Sequence, residues 1–149
     1  MRVRASSFGL VVGTATCHAC STPTPVARLW VPEYTYHFEP DDELEIEADP
    51  AMLSFVSDLS AAAMVRIQAH APWLRMAPTR TSGMTYLANH CACGAVQGDH
   101  YLGVPGEAFF PLSQDQLQGL RFLPCEGPLE AEASPGSSAW MVQVPSLGR

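Results

Sequence analysis

Four of the five cysteines of this chain stand in two tight groups, Cys17-His18-Ala19-Cys20 and His90-Cys91-Ala92-Cys93-Gly94. A tetrahedral metal ion takes four ligands, and two side chains separated by two residues in a turn can reach the same ion. Cys17 and Cys20 have that spacing. Cys91 and Cys93 are closer, but residues two apart along an extended backbone share a face, so both sulfurs can converge. His90 with Cys93 restores the two-residue spacing, which leaves two ligand sets open. One is Cys17, Cys20, Cys91 and Cys93; the other replaces Cys91 by His90. Gly94, directly after the last cysteine, tolerates the positive φ that a backbone folding around a metal requires. Cys125, between Pro124 and Glu126, reads as a free buried thiol. Four metal ligands and one spare thiol suit a reducing compartment better than paired disulfides do, and the metal such sulfurs most naturally hold is Zn2+.

The elements around these groups must bring them together. Residues 7 to 13 and Pro25 to Val31 carry the branched and aromatic side chains of strands, and the proline-rich run Ser21 to Pro25 cannot continue a helix. The first cysteine pair therefore sits at a hairpin tip. Thr85 to Ala88 reads as a strand leading into the second pair, with His100, Tyr101 and Leu102 as its return. Between the pairs, Asp49-Pro50 resembles a helix opening, and Met52, Phe55, Val56, Leu59, Ala63 and Ile67 recur at spacings of three and four. That pattern predicts one helix from Pro50 to about Gln68 or His70, stopped by Pro72. Tyr34, Tyr36 and Phe38 alternate as in an exposed strand. Ser113 to Leu117 suits a short helix, residues 130–138 an irregular stretch, and Trp140 to Val144 a last strand.

The expected fold is α+β: a small antiparallel, zinc-ribbon-like sheet with a long helical insertion between the two cysteine turns. One domain over residues 1–149 is expected, with the acidic and helical insertion at about 32–80 and a partly irregular C-terminal extension. The stretch Asn89-His90-Cys91-Ala92-Cys93-Gly94-Ala95-Val96-Gln97-Gly98-Asp99, followed by Tyr101-Leu102, resembles the second knuckle of poorly characterised bacterial zinc-ribbon proteins. Cys17-His18-Ala19-Cys20, followed by Pro25-Val26, resembles their first. The second knuckle of those proteins usually has two residues between its cysteines, and this chain has one. The resemblance implies zinc and a ribbon, but no reaction. Asn89, Gly94, Gln97 and Asp99 are expected to support the second knuckle by turn formation and hydrogen bonding around the ligands.

Composition narrows the function. Apolar residues make up 47% and charged residues 15% of the chain, and the net charge is −7. Glu33, Glu39, Asp41, Asp42, Glu43, Glu45, Glu47 and Asp49 follow one another without an intervening lysine or arginine. Such a block repels phosphate backbones, so nucleic acid is not an expected ligand, whereas a basic protein would be attracted. Its plainer reading is a solvated loop. Trp30, Tyr34 and Tyr36 with Glu39, Asp41, Asp42 and Glu43 form the expected partner surface, aromatics supplying contact area and carboxylates steering. The short, glycine-broken apolar run near the start makes a poor export signal, and no run is long enough for a bilayer, so a cytoplasmic protein without a membrane partner is expected.

These features predict a non-catalytic, zinc-stabilised protein-interaction domain. An acidic immunity protein or antitoxin neutralising a basic bacterial effector is one alternative. A zinc- or thiol-dependent enzyme is the other, but four thiolates fill the coordination sphere and leave no position for water. Paired-thiol redox chemistry favours a cysteine at a helix N-terminus, which the residues after Cys20 oppose.

Overall fold

The computed structural model describes residues 1–80 and 82–149. Its strands are β1 (Arg2–Ala5), β2 (Phe8–Thr16), β3 (Pro23–Val31), β4 (Tyr34–His37), β5 (Glu45–Glu47), β6 (Ala51–Leu59), β7 (Leu74–Pro78), β8 (Thr85–His90), β9 (Val96–Gln97), β10 (Arg121–Cys125) and β11 (Leu129–Gly136). Helices are short: α1 (Ala61–His70), α2 (Asp99–Leu102), α3 (Gln114–Gln118) and a 3-10 segment (Ala139–Ser146). Among the described residues none is long and apolar enough to cross a membrane.

Eight strands form one antiparallel sheet in the order β10-β2-β3-β6-β11-β1-β4-β5, and β7-β8-β9 form a second, smaller one. Side chains alternate across a strand, so the apolar residues of β2 and β3 feed two cores. Leu10, Val12, Ala27, Leu29 and Val31 pack on one face with Ala63 and Ile67 of α1 and with Leu74 and Leu87 of the small sheet. Val11, Val26 and Trp30 pack on the other with Leu102, Phe109, Leu117, Met141 and Val144. Covering both faces explains the nearly continuous apolar runs of these central strands.

The architecture overturns the expected ribbon with a long helical insertion. Residues 51–59 are strand β6, hydrogen-bonded between β3 and β11. The helical spacing that misled has a structural cause. Between the paired positions Ser54↔Ser134 and Asp58↔Glu132, residues 55–57 oppose the single residue Ala133. The apolar residues of β6 reach three different clusters, Met52 on one face of the sheet, Val56 and Leu59 on the other and Phe55 against Tyr86, so their spacing of three and four does not mark one helical face. Phe55, inside the bulge, has φ 52°. The helix begins only at Ala61, where Ser60 Oγ accepts the Ala63 N–H at 3.1 Å, and it ends at His70 before Pro72 as expected.

Three further expectations are corrected by non-local pairing. Residues 130–138, read as irregular, lie mostly in β11 (Leu129–Gly136), because β1 and β6 flank that strand with matching edges. His100 to Leu102 is not the return strand: Val96 and Gln97 are, and residues 99–102 make a helical turn. Trp140 to Val144 belongs to the 3-10 segment that covers Trp30 and Phe122. The hairpin β2–β3, the strand leading into the second cysteine pair and the short helix near residue 114 follow the sequence reading.

Candidate metal centre

Each cysteine group occupies a hairpin tip. In β2–β3 the last pairing is Thr16↔Pro23, so Cys17 and Cys20 lie in the turn, closed by Cys17 N–H to Thr22 O and Ser21 N–H to Cys17 O, both 2.9 Å. In β8–β9 the last pairing is His90↔Val96. There Cys91 N–H donates to Ala95 O at 2.9 Å and Gly94 N–H to Cys91 O at 2.8 Å. Gly94 has φ 94°, as its position after the knuckle led one to expect. Ser21 has φ 60° at the matching place after Cys20, so the two turns share a left-handed exit although only one uses glycine.

The four sulfurs of Cys17, Cys20, Cys91 and Cys93 all lie within 4.8 Å of one another and could hold a metal ion. Cys17 Sγ is 3.7 Å from Cys93 Sγ, and Cys20 Sγ is 3.7 Å from Cys91 Sγ. Both short separations run between the two hairpins. His90 turns elsewhere: its Nδ1 is 2.9 Å from Ala88 O and 3.3 Å from Trp73 O. His18 is likewise engaged, Nε2 lying 2.8 Å from Val96 O, a cross-hairpin contact.

Backbone N–H groups are aimed at the first sulfur. Those of Cys20 and then Ala19 bring the Cys17 thiol down to about 6 against the opposing effect of burial, and Ala19 N lies 3.4 Å from Cys17 Sγ. The Cys20 thiol is lowered too, chiefly by Thr22. For Cys93 the Ala95 N–H favours the thiolate, but burial and the neighbouring Cys17, Cys91 and Cys20 sulfurs together push it up to about 11. Four thiols this close cannot all ionise without a cation among them. A divalent metal supplies that charge, and its binding is linked to thiol deprotonation.

Two buried amides align the tips. Gln97, 0% exposed, donates through Nε2 to Cys17 Sγ at 3.2 Å and to Ala95 O at 3.2 Å, and its Oε1 accepts from His18 N–H at 3.4 Å. It thus touches both knuckles. Asn89 does something different from capping its own turn. Its Oδ1 accepts the Ala27 N–H at 2.7 Å and the Trp73 Nε1–H at 3.0 Å, while Nδ2 donates to Ala27 O at 3.0 Å. Ala27 lies just beyond the β3–β6 pairing, which begins at Leu29. The Asn89 carboxamide therefore takes the place of a neighbouring strand and latches the small sheet to the large one.

Asp99 is not a support of the knuckle. Its Oδ2 accepts the Phe55 N–H at 2.8 Å, its backbone N–H donates to Tyr86 Oη at 3.0 Å, and Arg28 Nη2 donates to its carbonyl at 2.8 Å and lies 3.7 Å from Oδ1. Burial pushes the Asp99 carboxyl up and the Arg28 guanidinium down, each opposed by the other's charge. The pair braces β3, the β6 bulge and β8. Sequence reasoning missed Arg28, although a lone charge between Val26 and Trp30 on an apolar strand signals a buried partner.

The expected partner surface divides. Trp30 is 5% exposed, donates Nε1–H to Met141 O at 3.2 Å and meets Phe122 edge-on, so it belongs to the core. Tyr34 is 9% exposed and also belongs to the core, Tyr36 is half-buried on β4, and Glu39, Asp41, Asp42 and Glu43 are exposed in the following loop. Cys125 is buried at β10, its thiol pushed up to about 11 by burial. Comparison with family models, curated proteins and solved structures finds no match for this chain.

Proposed function

We propose that Cys17, Cys20, Cys91 and Cys93 hold one Zn2+ as a structural staple in a non-catalytic domain that serves protein interaction. One observation carries this reading: the 3.7 Å sulfur separations across the hairpins. Zinc–sulfur bonds of about 2.3 Å at tetrahedral angles put sulfurs about 3.8 Å apart. Four thiolates occupy every tetrahedral position, which favours a closed structural role over a site that activates water. The staple joins the β2–β3 tip to the β8–β9 tip, so the metal's binding energy acts on the docking of the two sheets. The kinship with bacterial zinc-ribbon proteins is part of the proposal and rests on the paired knuckles alone, since the eight-stranded sheet around them is not a ribbon. Reduced zinc thiolates suit a cytoplasmic setting.

Native mass spectrometry before and after chelation tests the staple. One zinc per chain, with a large loss of thermal stability on its removal, is the expected result. Zero zinc in a fully folded, thiol-intact chain would overturn it. Affinity purification of the tagged chain from its native cells tests the interaction role, with a stoichiometric protein partner expected and a solitary zinc-loaded chain counting against it.

A further inference from the structure

The two edges of the large sheet end differently. At β10 the chain's own C-terminal segment closes the edge: Phe122 N–H donates to Gly148 O at 2.7 Å, Arg121 bridges to Gly148, and the Arg149 guanidinium lies 5.8 Å from the centre of the Phe122 ring. At the opposite edge β5 pairs only with β4, through Tyr34↔Glu47, Thr35↔Ile46 and Tyr36↔Glu45. Among the described residues no strand lies beside its outer backbone groups. An open edge is a template for another strand.

The side chains around this edge are not those of a merely solvated loop. Phe38, Leu44 and Ile46 are 68%, 51% and 79% exposed, a concentration of apolar groups within nine residues of an acidic block. Tyr34, Tyr36 and Phe38 form an aromatic ladder with ring centres 5.9 and 6.0 Å apart. By the register, Glu45 and Glu47 share the face of Tyr36 and Tyr34, and Ile46 faces the other way with Thr35. A trough of about 680 Å³ opens beside Ile46, lined also by Tyr34, Thr35 and Pro128. The two arginines at its rim are engaged, Arg4 with Glu130 at 3.5 Å and Arg66 with the Glu126 and Pro128 carbonyls. Among the described residues none of the eight carboxylates from Glu33 to Asp49 has an ion-pair partner.

We infer that β5 is a docking edge for an extended, basic segment of a protein partner, which adds a ninth strand with alternating basic and apolar side chains. The inference rests on the interaction-domain reading and names the surface and the chemistry. Basic side chains on one face meet Glu45 and Glu47 and lie beside the half-buried Tyr36 and the exposed Phe38, where a cation gains from both carboxylate and ring. Apolar side chains on the other face meet Ile46 and the trough. A second copy of this chain is the wrong occupant, because its own edge would set glutamates against glutamates.

The probes are three short synthetic peptides of identical composition, tested on the zinc-loaded full chain by amide chemical shifts and calorimetry. One alternates lysine and valine, one places its lysines in a block, and one alternates but carries N-methyl groups along one backbone edge. The alternating peptide is expected to shift the amides of Tyr34–His37 and Glu45–Glu47, to bind at least about tenfold tighter than both controls, and to weaken as salt is raised. Reversing the charge with E45K and E47K together, at exposed or half-exposed positions far from the cysteines, should transfer the preference to an alternating glutamate–valine peptide at unchanged zinc content and melting temperature. Equal binding of the blocked peptide, no binding of the alternating one, or self-association through this edge in sedimentation would each overturn the inference. If a native partner co-purifies and cross-links to a different surface, the docking edge is wrong while the interaction role stands.

Discussion

The two cysteine turns bring their sulfurs into one cluster from different sequences, and the difference separates ligand chemistry from backbone support. The first has two residues between its cysteines and leaves through a serine, Ser21, at φ 60°. The second has one intervening residue and leaves through Gly94 at φ 94°. Each turn is closed onto its own first cysteine, Ser21 N–H to Cys17 O in one and Gly94 N–H to Cys91 O in the other, and the four sulfurs meet in one cluster. The shortened spacing costs the second turn nothing visible, whereas the serine exit places the first in a conformation that L-residues disfavour by roughly 1–2 kcal/mol.

The largest effect that could break this cluster is loss of a sulfur. Cys20→Ser and Cys91→Ser should each lose zinc and unfold or aggregate, because structural zinc sites contribute on the order of 10 kcal/mol or more. His90→Ala should keep one zinc per chain in native mass spectrometry; if it loses the metal while Cys91→Ser retains it, the ligand set is the one with histidine. Next in size is the brace that lets the small sheet reach the large one. Arg28→Leu leaves the Asp99 carboxyl buried without its cation and should cost about 3–5 kcal/mol in denaturant unfolding. Asp99→Asn should cost less and leave zinc stoichiometry unchanged, since Asp99 touches neither knuckle.

Gln97→Leu removes the amide shared by the turns. It should weaken zinc binding by about 10–100-fold in competition with a chromogenic chelator while leaving the ligand count at four. Acidification should act in the same direction. In the metal-free fold, the lowered Cys17 value contributes stability that is full above the ordinary thiol value of 9.0 and is lost as pH falls through about 6. Protons therefore compete with the metal for Cys17 as pH falls through that value, and zinc release should rise there. The smallest effects sharpen the comparison of the exits. Gly94→Ala should destabilise by about 1 kcal/mol through strain alone, as nothing lies within 4 Å of an added Cβ. Ser21→Gly should stabilise by about 0.5–1 kcal/mol, the relief of strain exceeding the added flexibility of the unfolded chain. Equal and opposite shifts in melting temperature would confirm that the turns are conformational equivalents.

Local signals made much of the site legible. Prolines after Cys20 forced a turn, branched residues on both sides made a hairpin, and Gly94 marked a left-handed exit. Those depend on neighbours in sequence. The β6 bulge was not legible, because the strand forms only where β3 and β11 flank it. The alternation of Leu129, Ala131 and Ala133 was present in the sequence, but the small residues and Pro135 masked it, and only the matching edges of β1 and β6 make it a strand. Arg28 could have been found as a charge stranded among apolar neighbours. Its partner Asp99, 71 residues away, could not.

The sequence by itself determined the chemistry available: soft sulfur ligands in two turns, a spare buried thiol, and an acidic block with aromatic neighbours. Tertiary structure alone decided which groups meet. It chose Cys91 over His90 for the sulfur cluster, moved Trp30 from the surface to the core, turned Asn89 into a latch and Asp99 into a brace, and left β5 open while the C-terminal segment closed the opposite edge. The physical reason is that turn conformation is set by a few adjacent residues, whereas strand pairing and burial are agreements between segments far apart in the chain.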